Sequence, residues 1–234
     1  FVFGDPALPH ERAQDHPDDV ATVDLAVKGF DTERQTTYGE MYDRSRRISS
    51  VLAETYGIGK GDRVMVAAYN AANLYEILFA CWRLGAAYMP INWRLAPPEV
   101  HLIADDATPS VIIADLAFES LVSDIGLPVW WRDGNEDVDP FEQAIAAAQP
   151  WDGFVTPDLD AMTTLLYTSG TTGQPKGVIS TWRMQCMAVN QALHTNLGRD
   201  TRTLTAAPLF HTAGLNSFAL PLFSYGGTVH IMRH

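Results

Sequence analysis

The sequence predicts an α/β fold of layered, mostly parallel sheets flanked by helices. Short β-branched runs alternate with helix-period stretches along most of the chain, and a chain that returns repeatedly from strand to helix builds parallel strands covered on both faces. Hydrophobic residues make up 47% and charged residues 19% of the composition, a balance that supports a packed core. With 17 glycines and 14 prolines in 234 residues there are many turns, and the chain is long enough for one large or two small domains.

The elements follow in order. Thr37, Tyr38, Gly39 and Glu40 have the form of a capping box, and Met41, Ile48, Leu52 and Tyr56 then recur at helical spacing, so a helix is expected over 38–56, ending at Gly57. Its Asp43, Arg44, Arg46 and Arg47 read as a solvated face. The turn 59–62 leads into an alternating strand over 63–68. A helix follows from Asn73, with Asn73 and Glu76 as its capping pair and Gly85 as its stop. The alternation continues as strand 88–91, helix 98–105, strand 111–114, helix 116–125 and strand 129–131. Residues 133–139 read as an acidic surface loop and 144–148 as a short helix. The Pro-, Asp- and Gly-rich stretch 151–159 is the expected boundary between subdomains 1–159 and 160–234. Beyond it come a strand over 163–168, a loop over 169–177, a helix over 180–197, a strand over 202–206, a helix near 215–223 and a strand near 228–232.

A net charge of −12 argues against a surface built to neutralise nucleic-acid phosphates, so no nucleic-acid partner is expected. The only two cysteines, Cys81 and Cys186, stand far apart in apolar helical patterns. That excludes a disulfide framework and points to a reducing, cytoplasmic compartment. His230 and His234 straddle a strand and its exit and read as solvated imidazoles rather than a metal pair, so no metal ligands are assigned. No basic segment followed by an apolar core opens the sequence, so no secretory signal is read. The longest uncharged stretch, 203–232, is broken by Pro208, Pro221, Gly226 and Gly227 and suits buried strands and helices rather than a transmembrane segment.

Residues 167–178 read YTSGTTGQPKGV, directly behind the apolar strand. A glycine-rich loop at the carboxyl end of a buried strand sits where open α/β sheets bind ligands. Gly170, Gly173 and Gly177 let backbone N–H groups approach an anion, Thr168, Ser169, Thr171 and Thr172 add hydroxyls, and Lys176 adds a charge. Each charge-assisted hydrogen bond contributes about 1.5 to 3 kcal/mol, so several hold a phosphate chain without a basic surface. The loop is not a Walker A sequence, because Gly177 follows Lys176 where Ser or Thr is required, and it does not match Gly-x-Gly-x-x-Gly.

This stretch resembles the signature phosphate loop of the AMP-forming acyl- and aryl-CoA synthetase superfamily, the adenylate-forming enzymes. TTYGEM at 36–41, GDRV at 61–64, RLGAAYMPIN at 83–92 and APLFHTAGL at 207–215 resemble that family's other blocks, in the family's order. The resemblance implies an incomplete large amino-terminal domain, with 1–159 as its first α/β subdomain and 160–234 as the start of the second. It also implies a two-step ligase. A carboxylic acid attacks the α-phosphate of ATP, accompanied by Mg2+, to give acyl-AMP and pyrophosphate, and coenzyme A then takes the acyl group. Thr168, Ser169, Gly170, Thr171, Thr172, Gly173 and Lys176 are the implied phosphate-binding residues. His211 is implied in the acyl pocket, where a lone histidine would otherwise read as core.

The departures from the family pattern also carry expectations. Thr181-Trp182-Arg183 stands where many members have Thr-His-Arg, so Trp182 is read as a packing residue. Amino-acid-adenylating members place an aspartate where His211 stands, so an acid without an amino group is expected, fatty or aryl; Asn92-Trp93-Arg94-Leu95 looks more like the fatty-acyl enzymes. The family's adenine segment, its magnesium-holding glutamate and its late lysine are absent from the sequence. The chain therefore reads as the first part of such an enzyme, with no certain catalytic residue of its own and little adenylation alone. An inactive nucleotide-binding or scaffold module, another thiol acceptor and a homodimer stay open.

Overall fold

The computed structural model describes residues 10–25, 33–132, 139–168, 175–192, 195–217 and 219–233. Two sheets, each mostly parallel, carry the chain. The first has six strands in the order β6-β5-β3-β4-β7-β8, from β3 (Arg63–Ala67), β4 (Ala87–Pro90), β5 (Val111–Asp115), β6 (Val129–Arg132), β7 (Met162–Thr168) and β8 (Lys176–Thr181). All its pairings are parallel except β7 with β8. The second has four strands in the order β2-β1-β10-β9, from β1 (Val20–Asp24), β2 (Arg34–Thr37), β9 (Arg202–Thr205) and β10 (Thr228–Ile231). There β1, β10 and β9 run parallel and β2 antiparallel. Each sheet takes strands from both sides of residues 159 and 160, since β7 pairs with β4 and β1 with β10.

The helices divide into layers. α2 (Tyr38–Tyr56) begins on the expected box: the Glu40 amide donates to Thr37 Oγ1 at 3.2 Å and the Thr37 amide to Glu40 Oε2 at 2.8 Å. It stops at Gly57, whose φ of 68° is left-handed and costs glycine nothing. α3 (Asn73–Leu84) ends the same way at Gly85, and its residues from Leu74 to Leu84 are all buried. A helix buried on every side belongs inside a protein, and its one acidic residue, Glu76, is paired with Arg44. α3 lies with α2 between the two sheets, because one continuous core joins Leu74, Leu78 and Trp82 to Val64, Val66 and Tyr88 of the first sheet and to Ala21, Val229 and Ile231 of the second. The alternate residues of the first sheet, Met65, Ala67, Met89, Ile112 and Ala114, face a separate core under α4 (Pro97–Ala107) and α5 (Glu119–Val122). The period-two alternation of the strands thus fills both faces.

Most expected elements stand within one or two residues of their expected bounds, and the differences have physical causes. The segment expected to stay a loop to residue 177 and turn helical at 180 instead forms β8, and α7 (Trp182–Ala192) starts only after it. Gly177, Val178 and Ile179 pair with Tyr167, Leu166 and Leu165, and this antiparallel ladder outweighs the local turn composition. β1 and β2 were not expected; they are short and need the second sheet to exist. α6 (Pro140–Ala147) starts on Asp139, whose side chain caps the Phe141 amide, four residues before the expected helix. The expected helix near 215–223 is two short ones, α8 (Thr212–Leu215) and α9 (Ala219–Tyr225), and α1 (His10–Asp15) precedes the first strand.

The charged face of α2 is half-buried and paired rather than freely solvated. Arg44 is clamped between Glu76 of α3 and Glu142 of α6, with Nε to Glu76 Oε2 at 2.9 Å and Nη1 to Glu142 Oε2 at 2.8 Å. Arg46 binds the Trp151 carbonyl and Asp152, and Arg47 binds Asp43 and the Ala148 carbonyl, so this row fastens residues 140–152 to the helix layer. Asn73 does not cap α3. Its N-cap is Ala72, whose amide donates to Asp24 Oδ1 at 2.9 Å, while Asn73 Oδ1 accepts from Arg132 at 2.8 Å. Among the described residues no helix is long and apolar enough to cross a membrane.

Candidate functional site

The loops leaving the carboxyl ends of β3, β4, β5, β9 and β10 meet in one region, through Asn70, Trp93, Phe118, Phe210 and Met232. Their aromatic residues form a continuous patch. Tyr69 lies 4.9 Å from Trp93 and 4.7 Å from Phe118, and Trp93 stacks on Phe118 at 5.4 Å and meets Phe210 edge-on at 6.4 Å. Cations line its rim: the Arg94 guanidinium lies 4.1 Å from the Trp93 ring and 5.9 Å from Phe210, and that of Arg233 lies 5.2 Å from Tyr69. Burial first, opposed by the Asp115 carboxylate and aided by the Arg132 charge, holds the Arg233 group below its ordinary range. Such a surface suits a planar or apolar ligand that carries negative charge.

His211 follows Phe210 on this rim and is exposed. Its Nδ1 accepts the Ala213 amide at 3.2 Å as it opens the short α8, which leaves Nε2 outside that bond. The backbone before it is confined from behind: a Cβ on Gly214 would lie 2.4 Å from the Pro208 carbonyl oxygen and 2.7 Å from that of Ala207. Only glycine permits that approach.

Thr168 and Lys176 stand opposite each other as the last register pair of the β7–β8 hairpin, and both are exposed at its mouth. Ser169, Gly170, Thr171, Thr172 and Gly173 lie outside the described residues. The hairpin's stem is anchored. The Tyr167 hydroxyl donates to Asp106 Oδ2 of α4 at 2.5 Å, and its ring lies over Gly177, where a Cβ would come within 3.3 Å of it. Burial and then the Asp106 carboxylate push the Tyr167 phenol well above its ordinary range, so it keeps its proton. Trp182 packs as expected, edge-on to Trp82 at 4.8 Å. The structure thus puts Thr168 beside Lys176 at one part of this edge, and His211 beside the aromatic patch at another. His234 lies outside the described residues, so the His230 and His234 pair is not described.

Several residues that shape the site were not legible as such. Asn70 joins the two sheets, Asp115 accepts the Tyr69 amide at 2.9 Å, and Asp24 accepts the Ala72 amide. Burial first, with Glu76 adding to it, raises the Asp24 carboxyl from 3.8 to about 6. The one sequence signal was Asn70 set among alanines in the turn AAYNAA at 67–72.

The AMP-binding enzyme family model matches residues 9–234. The chain is 34% identical over 215 residues to an indoleacetate–CoA ligase of Aromatoleum aromaticum, covering 84% of this chain and 40% of that protein. It is 37% identical over 195 residues to a feruloyl-CoA synthase of an Amycolatopsis species, covering 82% and 38%. Among solved structures, the inhibitor-bound N-terminal domain of FACL13 from Mycobacterium tuberculosis superposes with a TM-score of 0.83 at 28% identity, over 97% of this chain and 56% of that one. O-succinylbenzoate coenzyme A synthetase from Bacillus subtilis, in complex with ATP and magnesium ion, gives a TM-score of 0.78 at 28% identity, over 96% and 56%. The chain spans about 40% of the length of the curated relatives it matches. With the family model matching residues 9–234 and the fold superposing on a solved relative, the chain belongs to the AMP-binding enzyme family.

Proposed function

We propose that the chain is the first part of an AMP-forming carboxylate–CoA ligase, which activates an aryl or fatty acid with ATP and passes the acyl group to coenzyme A. The observation that carries this reading is the juxtaposition of Thr168 and Lys176 at the hairpin mouth, at the same carboxyl edge as an aromatic, cation-rimmed patch. The hairpin mouth holds the β- and γ-phosphates, with Thr168, Ser169, Gly170, Thr171, Thr172 and Gly173 as donors and Lys176 as the charge. As the acid's carboxylate attacks the α-phosphate, charge grows on the departing pyrophosphate, and those donors stabilise it where it develops. The patch of Trp93, Phe210 and His211 receives the acid. The names of the relatives, indoleacetate–CoA ligase and feruloyl-CoA synthase, are the reason to test aryl acids first.

Magnesium would accompany ATP and shield its phosphates. Among the described residues no three His, Cys, Asp or Glu side chains cluster to hold a metal ion, and no step here is routed through the metal. We place the protein in the cytoplasm, where the free thiols of Cys81 and Cys186 fit a reducing compartment.

The test is acid-dependent pyrophosphate release by the full-length protein with ATP, Mg2+ and a panel of aryl and fatty acids, with acyl-CoA identified by mass. Lys176→Ala should lower kcat/KM for ATP by about ten- to a hundredfold, the loss of one charge-assisted contact. No pyrophosphate with any acid, or an unaltered ATP dependence in Lys176→Ala, would refute the reading.

A further inference from the structure

We propose that Asn70 is a positioning residue for the acid side of the site, its side-chain amide fixing where Phe210 and His211 stand. The inference rests on the reading that these two residues receive the acid.

Asn70 is 5% exposed and lies in the turn between β3 and α3. Its Nδ2 donates to the Ala207 carbonyl at 3.1 Å and to the Met232 carbonyl at 3.0 Å, and its Oδ1 accepts the Leu209 amide at 2.8 Å. Its own amide donates to the Arg233 carbonyl at 3.1 Å. Both donor protons are therefore committed, and every partner lies in a loop leaving β9 or β10 of the other sheet. One side chain thus bridges the carboxyl edges of the two sheets through three hydrogen bonds.

The turn carrying Asn70 is held on both sides. Tyr69 is tied to Asp115 at the end of β5 in the first sheet and Ala72 to Asp24 at the end of β1 in the second, each through a backbone amide at 2.9 Å. At the far end, residues 207 and 209 flank Pro208 and directly precede Phe210 and His211. Pro208 has no N–H to give, which makes the Leu209 amide and the Ala207 carbonyl the handles by which this stretch is gripped. Gly214 lies against the Ala207 carbonyl as well, and against that of Pro208. The segment is thus pinned between Asn70 and Gly214, and the direction in which Phe210 meets Trp93 follows from that pinning. A displacement of about 1 Å at a reacting or binding group costs up to about a hundredfold in rate, so loosening this clamp should be felt at the acid and not at the phosphates.

The test is Asn70→Ala in the full-length protein, with acid and ATP varied separately and with hydrogen exchange followed across 206–213. The expected result is a KM for the acid raised about tenfold or more, a narrowed preference between two acids differing by one methylene, and a KM for ATP little changed. Exchange at the Leu209 amide should accelerate while α3 stays protected. A fall in the active fraction alone, with both KM values unchanged, would show a merely structural role and overturn the proposal, as would equal damage to acid and ATP or unaltered exchange at Leu209. Phe210→Ala and His211→Ala separate the two levels. If they leave acid KM and preference untouched, the acid does not bind there and the inference falls with that reading. If they alter both while Asn70→Ala alters neither, the reading stands and the inference alone fails.

Discussion

Removing Arg44 should be the most damaging surface-accessible change in the helix layer. Its side chain is 16% exposed and binds Glu76 and Glu142, whose side chains are 2% and 15% exposed, through four hydrogen bonds between 2.8 and 3.0 Å. Burial pushes the Glu76 carboxyl up against the pull of Arg44; at Glu142 burial also opposes the charge, but the Arg44 bonds outweigh it and hold that carboxyl below its ordinary range. Arg44→Ala leaves two carboxylates facing each other with no cation between them. Breaking a buried pair by removing one partner costs about 3 to 5 kcal/mol. For a domain of this size that lowers Tm by about 6 to 20 °C.

The assay is equilibrium urea unfolding beside a thermal melt, at several pH values. The sign with pH is fixed by the stranded carboxylates. Without Arg44 their folded pKa values rise above the unfolded ones, so the penalty is absent below the unfolded value and grows as pH rises through the folded one. The deficit of Arg44→Ala should therefore shrink on acidification. Replacing all three residues with apolar ones of similar volume, as in Arg44→Met with Glu76→Leu and Glu142→Met, should restore most of the stability. A loss in Arg44→Ala below about 1 kcal/mol at neutral pH, the level of an exposed ion pair, would refute the reasoning.

Three further outcomes are expected. Asp24 has a folded pKa raised from 3.8 to about 6, so its charge burdens the fold above that range and not below pH 3.8. Asp24→Asn, which keeps the acceptor for Ala72, should stabilise by up to about 3 kcal/mol above pH 6 and by little at pH 4, read by urea titration at the two pH values. Thr37→Ala removes the acceptor that caps α2 and should cost about 1 kcal/mol in the same measurement. Gly214→Ala drives a methyl into two backbone carbonyls, and should cost about 1 to 3 kcal/mol by thermal melting; an unchanged melt would show that the 207–211 segment is free to retreat.

What the sequence determined is whatever depends on neighbours within a few residues. The capping box at Thr37 and Glu40 and the left-handed stop at Gly57 are local hydrogen-bond and steric choices. The strands of the first sheet announced themselves by alternation because one residue in two meets each of its two cores. The phosphate motif was legible because glycines, hydroxyls and a lysine follow a buried strand. Only the tertiary structure decided the rest. Residues 176–181 became a strand because β7 supplied its ladder. Arg44 left the solvated face because two carboxylates from other helices came within 3.0 Å. Asn70, an unremarked polar residue in a turn, became the link between sheets because its partners lie more than 130 residues away along the chain. Contacts of that separation leave no local pattern, since the free energy that fixes them is shared by segments which meet only after folding.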